Sequence, residues 1–255
     1  IIKKNKIGVI FHAGATTQVL DGINYPLETY KNNIQGTINI LEAIRKINKK
    51  IIFIFSSSDK AYGELKYKKY KEKDNLDAVF PYDLSKSSSD LICQSYSKVF
   101  GLKVGIIRCG NIFGKYDFNT NRLIPEALIS ILKNKNIVIR SNGKLIRDYL
   151  YIDDAINAYF LLMKKLLKNS DKLLIYNVGS KYNLSVIKVV NLLIKISKNN
   201  KIKMLIKNYS KKEINNQNLD YSKIVNELGW KQKNLLLESL RKTFDWYKQN
   251  IKLFE

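Results

Sequence analysis

Tyr82 and Lys86 stand four residues apart in "PYDLSK" (81–86). At a helix start, residues i and i+4 share a face, which sets a phenol beside an ammonium. A nearby ammonium favours the phenolate and lowers its pKa. A tyrosine so tuned can take a proton from a sugar hydroxyl near neutral pH. Tyr-x-x-x-Lys alone is weak, because a lysine-rich chain produces it by chance and it is most often an exposed helix pair. Its company gives it weight. Upstream, "IIFIFSSSDKAYGE" (51–64) runs apolar residues straight into Ser56, Ser57, Ser58, Asp59 and Lys60. An ordinary turn would offer Gly, Asn or Pro there. Downstream, Arg108-Cys-Gly-Asn111 closes another apolar run.

Those side chains need elements to hold them. "IGVIFHAGA" (7–15), "KIIFIFSSS" (50–58) and "KVGIIRCGN" (103–111) read as buried parallel strands. Between them, 26–47 repeats Ile34, Ile38, Leu41 and Ile44 at helical spacing behind Pro26, and 85–101 reads as a helix closed by Gly101. Strand and helix in alternation predict an α/β fold with a parallel sheet and right-handed crossovers. Chemistry in such sheets sits at the strands' carboxyl ends, where His12–Thr17, Ser56–Lys60 and Arg108–Asn111 fall. Beyond 111 the pattern changes. Helices are expected at 122–134, 153–168, 185–198 and 236–249, and short strands near 137–140, 174–178 and 202–206. This predicts a parallel-sheet domain over 1–111 and a smaller mixed lobe over 112–255, with 150–180 returning to the sheet.

The formal net charge of +23 raises nucleic-acid binding. The lysines are scattered and the aromatics form no interleaved platform, so a Lys-, Asn- and Ile-rich composition explains the charge better. The densest run, "KYKKYKEK" (66–73), is the one candidate polyanion contact and otherwise a solvated loop. Cys93 and Cys109 read as two reduced thiols in a cytoplasmic protein. No apolar run approaches the ~18 residues of a membrane span, and no secretory signal is read at the start, which opens on Ile1-Ile2. No metal site is expected.

These motifs resemble the extended short-chain dehydrogenase/reductases of the NAD-dependent epimerase/dehydratase family. The likeness is greatest to the nucleotide-sugar 4,6-dehydratases, especially the CDP-glucose 4,6-dehydratase type. "VIFHAGA", "YKNNIQGTINILEA", "SSSDKAYGE", "PYDLSK", "RCGNIFG", "RLIPEALI" and "RDYLYIDDAINAY" fall in family order at family spacing, and "DYSKIVNELGW" resembles the usual ending. The resemblance implies a homo-oligomeric enzyme that uses NAD, with 1–111 a partial NAD-binding Rossmann domain lacking its first strands, joined by 150–180, and 112–255 mainly a substrate-binding lobe. Tyr82 and Lys86 match its catalytic pair, and Ser58 the residue that hydrogen-bonds the sugar's 4-hydroxyl. Ala13, Gly14, Ala15, Thr17, Asn33 and Ser56, with Tyr82 and Lys86, match the cofactor cleft. Asn111, Arg122 and Arg147 fall where the family touches sugar and diphosphate. The alternative for Arg147–Asp148 is a surface ion pair, and for His12 a packed strand residue.

The resemblance also accounts for Asp59-Lys60. Relatives that only epimerise typically carry Ser-Ala-Ala in place of Ser58-Asp59-Lys60. A dehydratase must in addition remove the C5 proton and expel the C6 hydroxyl, which takes a base and an acid beside the tyrosine. Asp59 is assigned as the acid and Lys60 as the base, with stabilisation of the enolate by Lys60 as the alternative. The expected reaction converts a nucleotide-diphosphohexose to its 4-keto-6-deoxy product. A 4-epimerase or decarboxylase on the same scaffold, or an inactive fragment, is the other reading. The family's Gly-x-x-Gly-x-x-Gly fingerprint and its ribose-binding acid are absent. The chain begins at what should be the family's fourth strand, so a missing N-terminal segment is expected.

Overall fold

A computed structural model describes residues 1–64, 69–168, 170–209 and 214–254. The chain enters through β1 (Val9–His12), then α1 (Val19–Asn24) and α2 (Pro26–Tyr30). A π-helical turn, Lys31–Gln35, leads into α3 (Gly36–Ile47). β2 (Ile52–Ser58) ends in a 3-10 turn over Asp59–Tyr62. Next come α4 (Pro81–Phe100), β3 (Lys103–Cys109) and β4 (Asn111–Phe113). α5 (Leu123–Leu132), β5 (Ile137–Ile139), β6 (Ile146–Tyr151) and α6 (Ile152–Lys168) follow. The chain then forms β7 (Leu173–Val178), β8 (Asn183–Ser185), α7 (Val186–Ser197) and β9 (Met204–Ile206). α8 (Ser222–Leu228) and α9 (Leu236–Gln249) complete the main elements.

The main sheet has the order β1-β2-β3-β7, all parallel. Its register pairs His12 with Phe55, Ser58 with Cys109, and Cys109 with Val178. The carboxyl ends of β2, β3 and β7 therefore finish along one rim. Successive residues of β2 face opposite ways. Phe53 and Phe55 pack with Leu41, Ile44 and Cys93 under α3 and α4. Ile52 and Ile54 pack with Leu162, Tyr176 and Trp230 under α6 and α8. Burial on both faces is why the strands read as nearly unbroken apolar runs. Gly105 lets α6 press on the sheet, since a Cβ there would lie 2.7 Å from Leu162 Cδ2.

The other lobe packs α5, α7 and α9 around Leu128, Val189, Leu193, Leu240 and Tyr247. Its small sheet has the order β4-β6-β8, and β5 pairs with β9. The β4–β6 pairing is parallel, which sets Asn111 opposite Tyr149. Asn111 thus starts the strand that carries the chain from the main sheet into this lobe.

Several boundaries differ from expectation for clear reasons. The helix expected at 85 starts at Pro81, which occupies the first helical position where its missing N–H costs nothing. Tyr82 and Lys86 are therefore one turn apart inside α4. The helix expected over 26–47 widens into a π turn around the buried Asn33. Such bulges often mark functional positions. β6 was hidden inside the "RDYLY" motif, and α1, β4, β8 and α8 are too short to show a period. In the 66–73 run, residues 66–68 lie outside the described residues, but Tyr70 is buried and stacks on Tyr62 at 4.7 Å. Tyr70 is therefore not part of a polyanion-binding surface.

Trp230 is fully buried, and its indole donates to the Asp154 carbonyl at 3.0 Å. Trp230→Ala should destabilise the fold by about 3–5 kcal/mol in denaturant unfolding. A loss below about 1 kcal/mol would mean that α8 is not docked on the sheet as described.

Candidate active site

A cleft of about 720 Å³ opens at the sheet's rim between the two lobes. The 3-10 turn after β2 supplies one wall. Ser58 caps this turn, its Oγ accepting from the Lys60 backbone N–H at 3.2 Å and donating to Asp59 Oδ1 at 3.1 Å. Because the strand has ended by residue 59, strand alternation no longer sends neighbours to opposite faces. Ser58, Asp59 and Lys60 all line the cleft. Asp59 is 2% exposed, and its Oδ2 has no hydrogen-bond partner. Burial pushes its carboxyl up, against the opposing pull of Lys60.

The first turns of α4 supply Tyr82 and Lys86, both lining the cleft. Lys86 donates to the Ser56 carbonyl at 2.8 Å and lies 5.1 Å from the centre of the Phe55 ring. Burial lowers its pKa to about 8. The Tyr82 phenol is held above its ordinary value, first by burial and then by Asp83 and Asp59. Arg122 and a hydrogen bond with Ser58 oppose that rise. The expectation that Lys86 lowers the Tyr82 pKa is therefore corrected. The ammonium is engaged by Ser56 and Phe55, and the phenol's proton affinity is set by burial and acidic neighbours.

The proposed cofactor residues divide. Ala13, Thr17 and Ser56 line the main cleft. Gly14 and Ala15 line a shallower groove beside it, with His12 and Asn32. Asn33 is a clamp rather than a cleft residue: it accepts from the Thr16 backbone N–H at 2.7 Å and donates to the Thr16 carbonyl and to Ser85 Oγ. It fixes the 13–17 loop from below. His12 packs on Phe53 and Phe55 and shares a hydrogen bond with Thr37 Oγ1 at 3.0 Å.

Across the cleft stand Asn111, Arg122 and Arg147. Arg122 is half exposed and pairs with Asp117 at 3.3 Å. Arg147 is buried and donates to the Ile146 carbonyl at 2.9 Å. Asp148 is buried too, accepting from the backbone N–H groups of Leu219 and Ser180 and from Asn183. The surface-pair alternative for Arg147–Asp148 does not hold, because both side chains are interior and Asp148 braces loops of the second lobe.

Sequence reasoning missed several lining groups. Gln18 donates to Asn119 at 3.2 Å and accepts from Asn121 at 2.9 Å, so an amide bridge spans the two lobes at the cleft. Arg140 also lines the cleft and is held by Glu126 at 2.7 Å. An arginine ending the apolar "NIVIR" run was the available signal for Arg140; scattered amides give none.

Behind the rim, Arg108 forms a buried bidentate pair with Asp90 at 2.9 Å and donates to Tyr62 Oη at 2.8 Å. Ser57 donates to the same aspartate at 2.8 Å. Asp90→Asn would leave this guanidinium interior without its countercharge, so unfolding free energy should fall by about 3–5 kcal/mol. A urea midpoint unchanged from wild type would contradict the pair's structural role.

Comparison with known proteins places this geometry. The family model of GDP-mannose 4,6 dehydratase matches residues 1–243. A dTDP-D-glucose 4,6-dehydratase of Dictyostelium discoideum is 29% identical, the match covering 98% of this chain and 66% of that protein. The chain therefore spans just under two thirds of that relative's length. Among solved structures, the UDP-glucose 4-epimerase of Thermotoga maritima with UDP-glucose is 27% identical with a TM-score of 0.89, covering 98% of this chain and 80% of that one. The dTDP-glucose 4,6-dehydratase of Bacillus anthracis in complex with NAD is 26% identical with a TM-score of 0.85, covering 98% and 76%. Given a family match along nearly its whole length, the chain belongs to the GDP-mannose 4,6 dehydratase family.

Proposed function

We propose that the full-length protein is an NAD-dependent nucleotide-sugar 4,6-dehydratase. The observation that carries the reading is the turn at 59–60, which brings a buried carboxyl and an amine into the same cleft as Tyr82. Hydride transfer with one tyrosine suffices for a 4-epimerase. The additional acid and base are what loss of water across C5–C6 requires. The likeness to an epimerase structure supports the shared scaffold, and Asp59-Lys60 argues against epimerisation alone.

The cleft suits the nicotinamide-bearing half of NAD. Ala13 and Thr17 line the cleft with short side chains, and in the neighbouring groove a Cβ on Gly14 would meet only His12 Cε1, at 4.0 Å, so the 13–17 loop leaves room for a ligand. Lys86 spends one of its three donors on Ser56 and has two for ribose hydroxyls. Bound NAD+ supplies the hydride acceptor for C4 and the hydride returned to C6, and its positive charge favours the Tyr82 phenolate. In this reading Tyr82 takes the C4 hydroxyl proton with Ser58 as its hydrogen-bond partner. Lys60 removes the C5 proton, and Asp59 protonates the departing C6 oxygen. Arg147 and Arg122 meet the diphosphate, and Asn111 the sugar. Residues 1–111, with 150–180, form the cofactor-binding part, and most of 112–255 the substrate-binding part. The resemblance to the CDP-glucose type makes CDP-glucose or a similar nucleotide-diphosphohexose the substrate of this reading. Assembly as a homo-oligomer in the cytoplasm belongs to the same proposal.

Incubation of the full-length protein with NAD+ and CDP-, dTDP-, UDP- and GDP-hexoses should yield a 4-keto-6-deoxy sugar, detected by mass loss of water. Tyr82→Phe should lower turnover by roughly 100-fold or more. Epimer formation without water loss would overturn the reading.

A second expectation concerns the 255-residue chain by itself. It carries no glycine fingerprint for the pyrophosphate, and among the described residues β1 pairs on one side only, with β2. Calorimetry should show weak NAD+ binding and light scattering should show self-association. Tight binding by a monodisperse chain would contradict this.

A further inference from the structure

Ser57 of β2 looks to α4, where it bonds Asp90, and strand alternation sends its neighbour Ser56 to the opposite face, toward α6. There Ser56 Oγ lies 2.7 Å from the hydroxyl of Tyr159, a residue of α6 that no step assigned above uses. The Tyr159 ring is set edge-on against Phe11 of β1, with centroids 6.5 Å apart, and this contact holds the ring in place. Burial, with Cys109 adding to it, pushes the Tyr159 phenol well above its ordinary value, so it stays protonated.

Tyr159 has one proton to give and two polar neighbours, Ser56 Oγ and the Cys109 thiol. Sulfur is a weak acceptor, so the proton goes to the serine. Ser56 then accepts from Tyr159 and must send its own proton elsewhere. Among the described residues, Ser56 Oγ donates to no acceptor, and the Ser56 carbonyl is already taken by Lys86 at 2.8 Å. A serine left to itself turns its hydroxyl onto nearby backbone. The bond from α6 restrains that rotation. Ser56 is half-buried and lines the cleft, as Cys109 does, so the cleft is where an acceptor can reach it.

We propose that Tyr159 is a positioning residue that holds the Ser56 hydroxyl as a donor to the cleft, and that the acceptor is the carboxamide oxygen of a bound nicotinamide. The ligand class follows from charge. Ser56, Tyr159 and Cys109 are neutral, which suits an uncharged carbonyl, whereas the arginines that match phosphate oxygens, Arg122 and Arg147, stand across the cleft. The assignment rests on the reading of this cleft as the site for the nicotinamide half of NAD. It does not depend on whether the reaction is dehydration or epimerisation.

Calorimetry on the full-length protein tests it, with NAD+ and with its thionicotinamide analogue, whose sulfur accepts poorly. Tyr159→Phe keeps the ring and removes only the hydroxyl. It should weaken NAD+ binding roughly 5-fold and the analogue by less than about 2-fold. Ser56→Ala should discriminate between the two dinucleotides in the same way. Adding Tyr159→Phe to Ser56→Ala should cost nothing further, because the two side chains act as one unit. If Tyr159→Phe does not fold, Tyr159→Leu takes its place with the same expectation.

A purely structural role for Tyr159 would weaken both dinucleotides alike, and its loss would add to that of Ser56→Ala. Either result overturns the proposal. A wild type that binds neither dinucleotide would sink the NAD reading and this assignment with it. One that binds both, with variants that do not discriminate between them, would sink the assignment alone.

Discussion

A guanidinium buried between a carboxylate and a phenol holds the whole rim in place. Arg108 lies at the end of β3, and its pair with Asp90 reaches α4. Its bond to Tyr62 reaches the turn after β2, and Tyr62 continues to Asn177 on β7 at 2.7 Å. Ser57, one residue before Ser58, hangs from the same aspartate. A buried ion pair offsets its desolvation only where geometry is good and the remaining donors are used. Here the bidentate contact, the Tyr62 hydroxyl and the Glu72 carbonyl use them. The consequence is positional. Asp59 and Lys60 lie between two anchored residues, Ser57 and Tyr62, and Tyr82 starts the helix that carries Asp90.

The second lobe meets this rigid rim through softer contacts. β4 leaves the sheet directly into the small β4-β6-β8 sheet, so Asn111 and Arg147 are carried on backbone ladders. Asp148 braces that sheet against the 180 and 219 loops. Gln18, Asn119 and Asn121 bridge the lobes by side-chain amides alone. A ligand entering the cleft would meet ladder-held and ion-paired side chains on one side and the Gln18–Asn119–Asn121 amide contacts on the other.

Much of the sheet was legible because parallel strands covered on both faces leave unbroken apolar runs, as "IIFIF" and "KVGII" do. The motifs at their ends were legible because their residue types are wrong for an ordinary turn. What the sequence concealed depends on depth. Nothing in "PYDLSK" distinguishes the buried Asp83 from an exposed first-turn acid. The role of Asn33 as a loop clamp depends on a π turn that no periodicity announces. The Tyr82 pKa depends on depth in the same way: burial and two carboxyls raise it, while the Lys86 ammonium is engaged by Ser56 and Phe55.

The central claim is that the 59–60 turn makes this site a dehydratase, and substrate deuterated at C5 tests it most directly. The wild-type full-length protein should exchange that deuterium with solvent as it forms product. Lys60→Met should still reduce NAD+ at C4 yet lose the exchange, while Asp59→Asn should retain exchange and stall before water leaves. If Lys60→Met exchanges C5 deuterium as fast as wild type, the base lies elsewhere and the turn does not have the role given to it here.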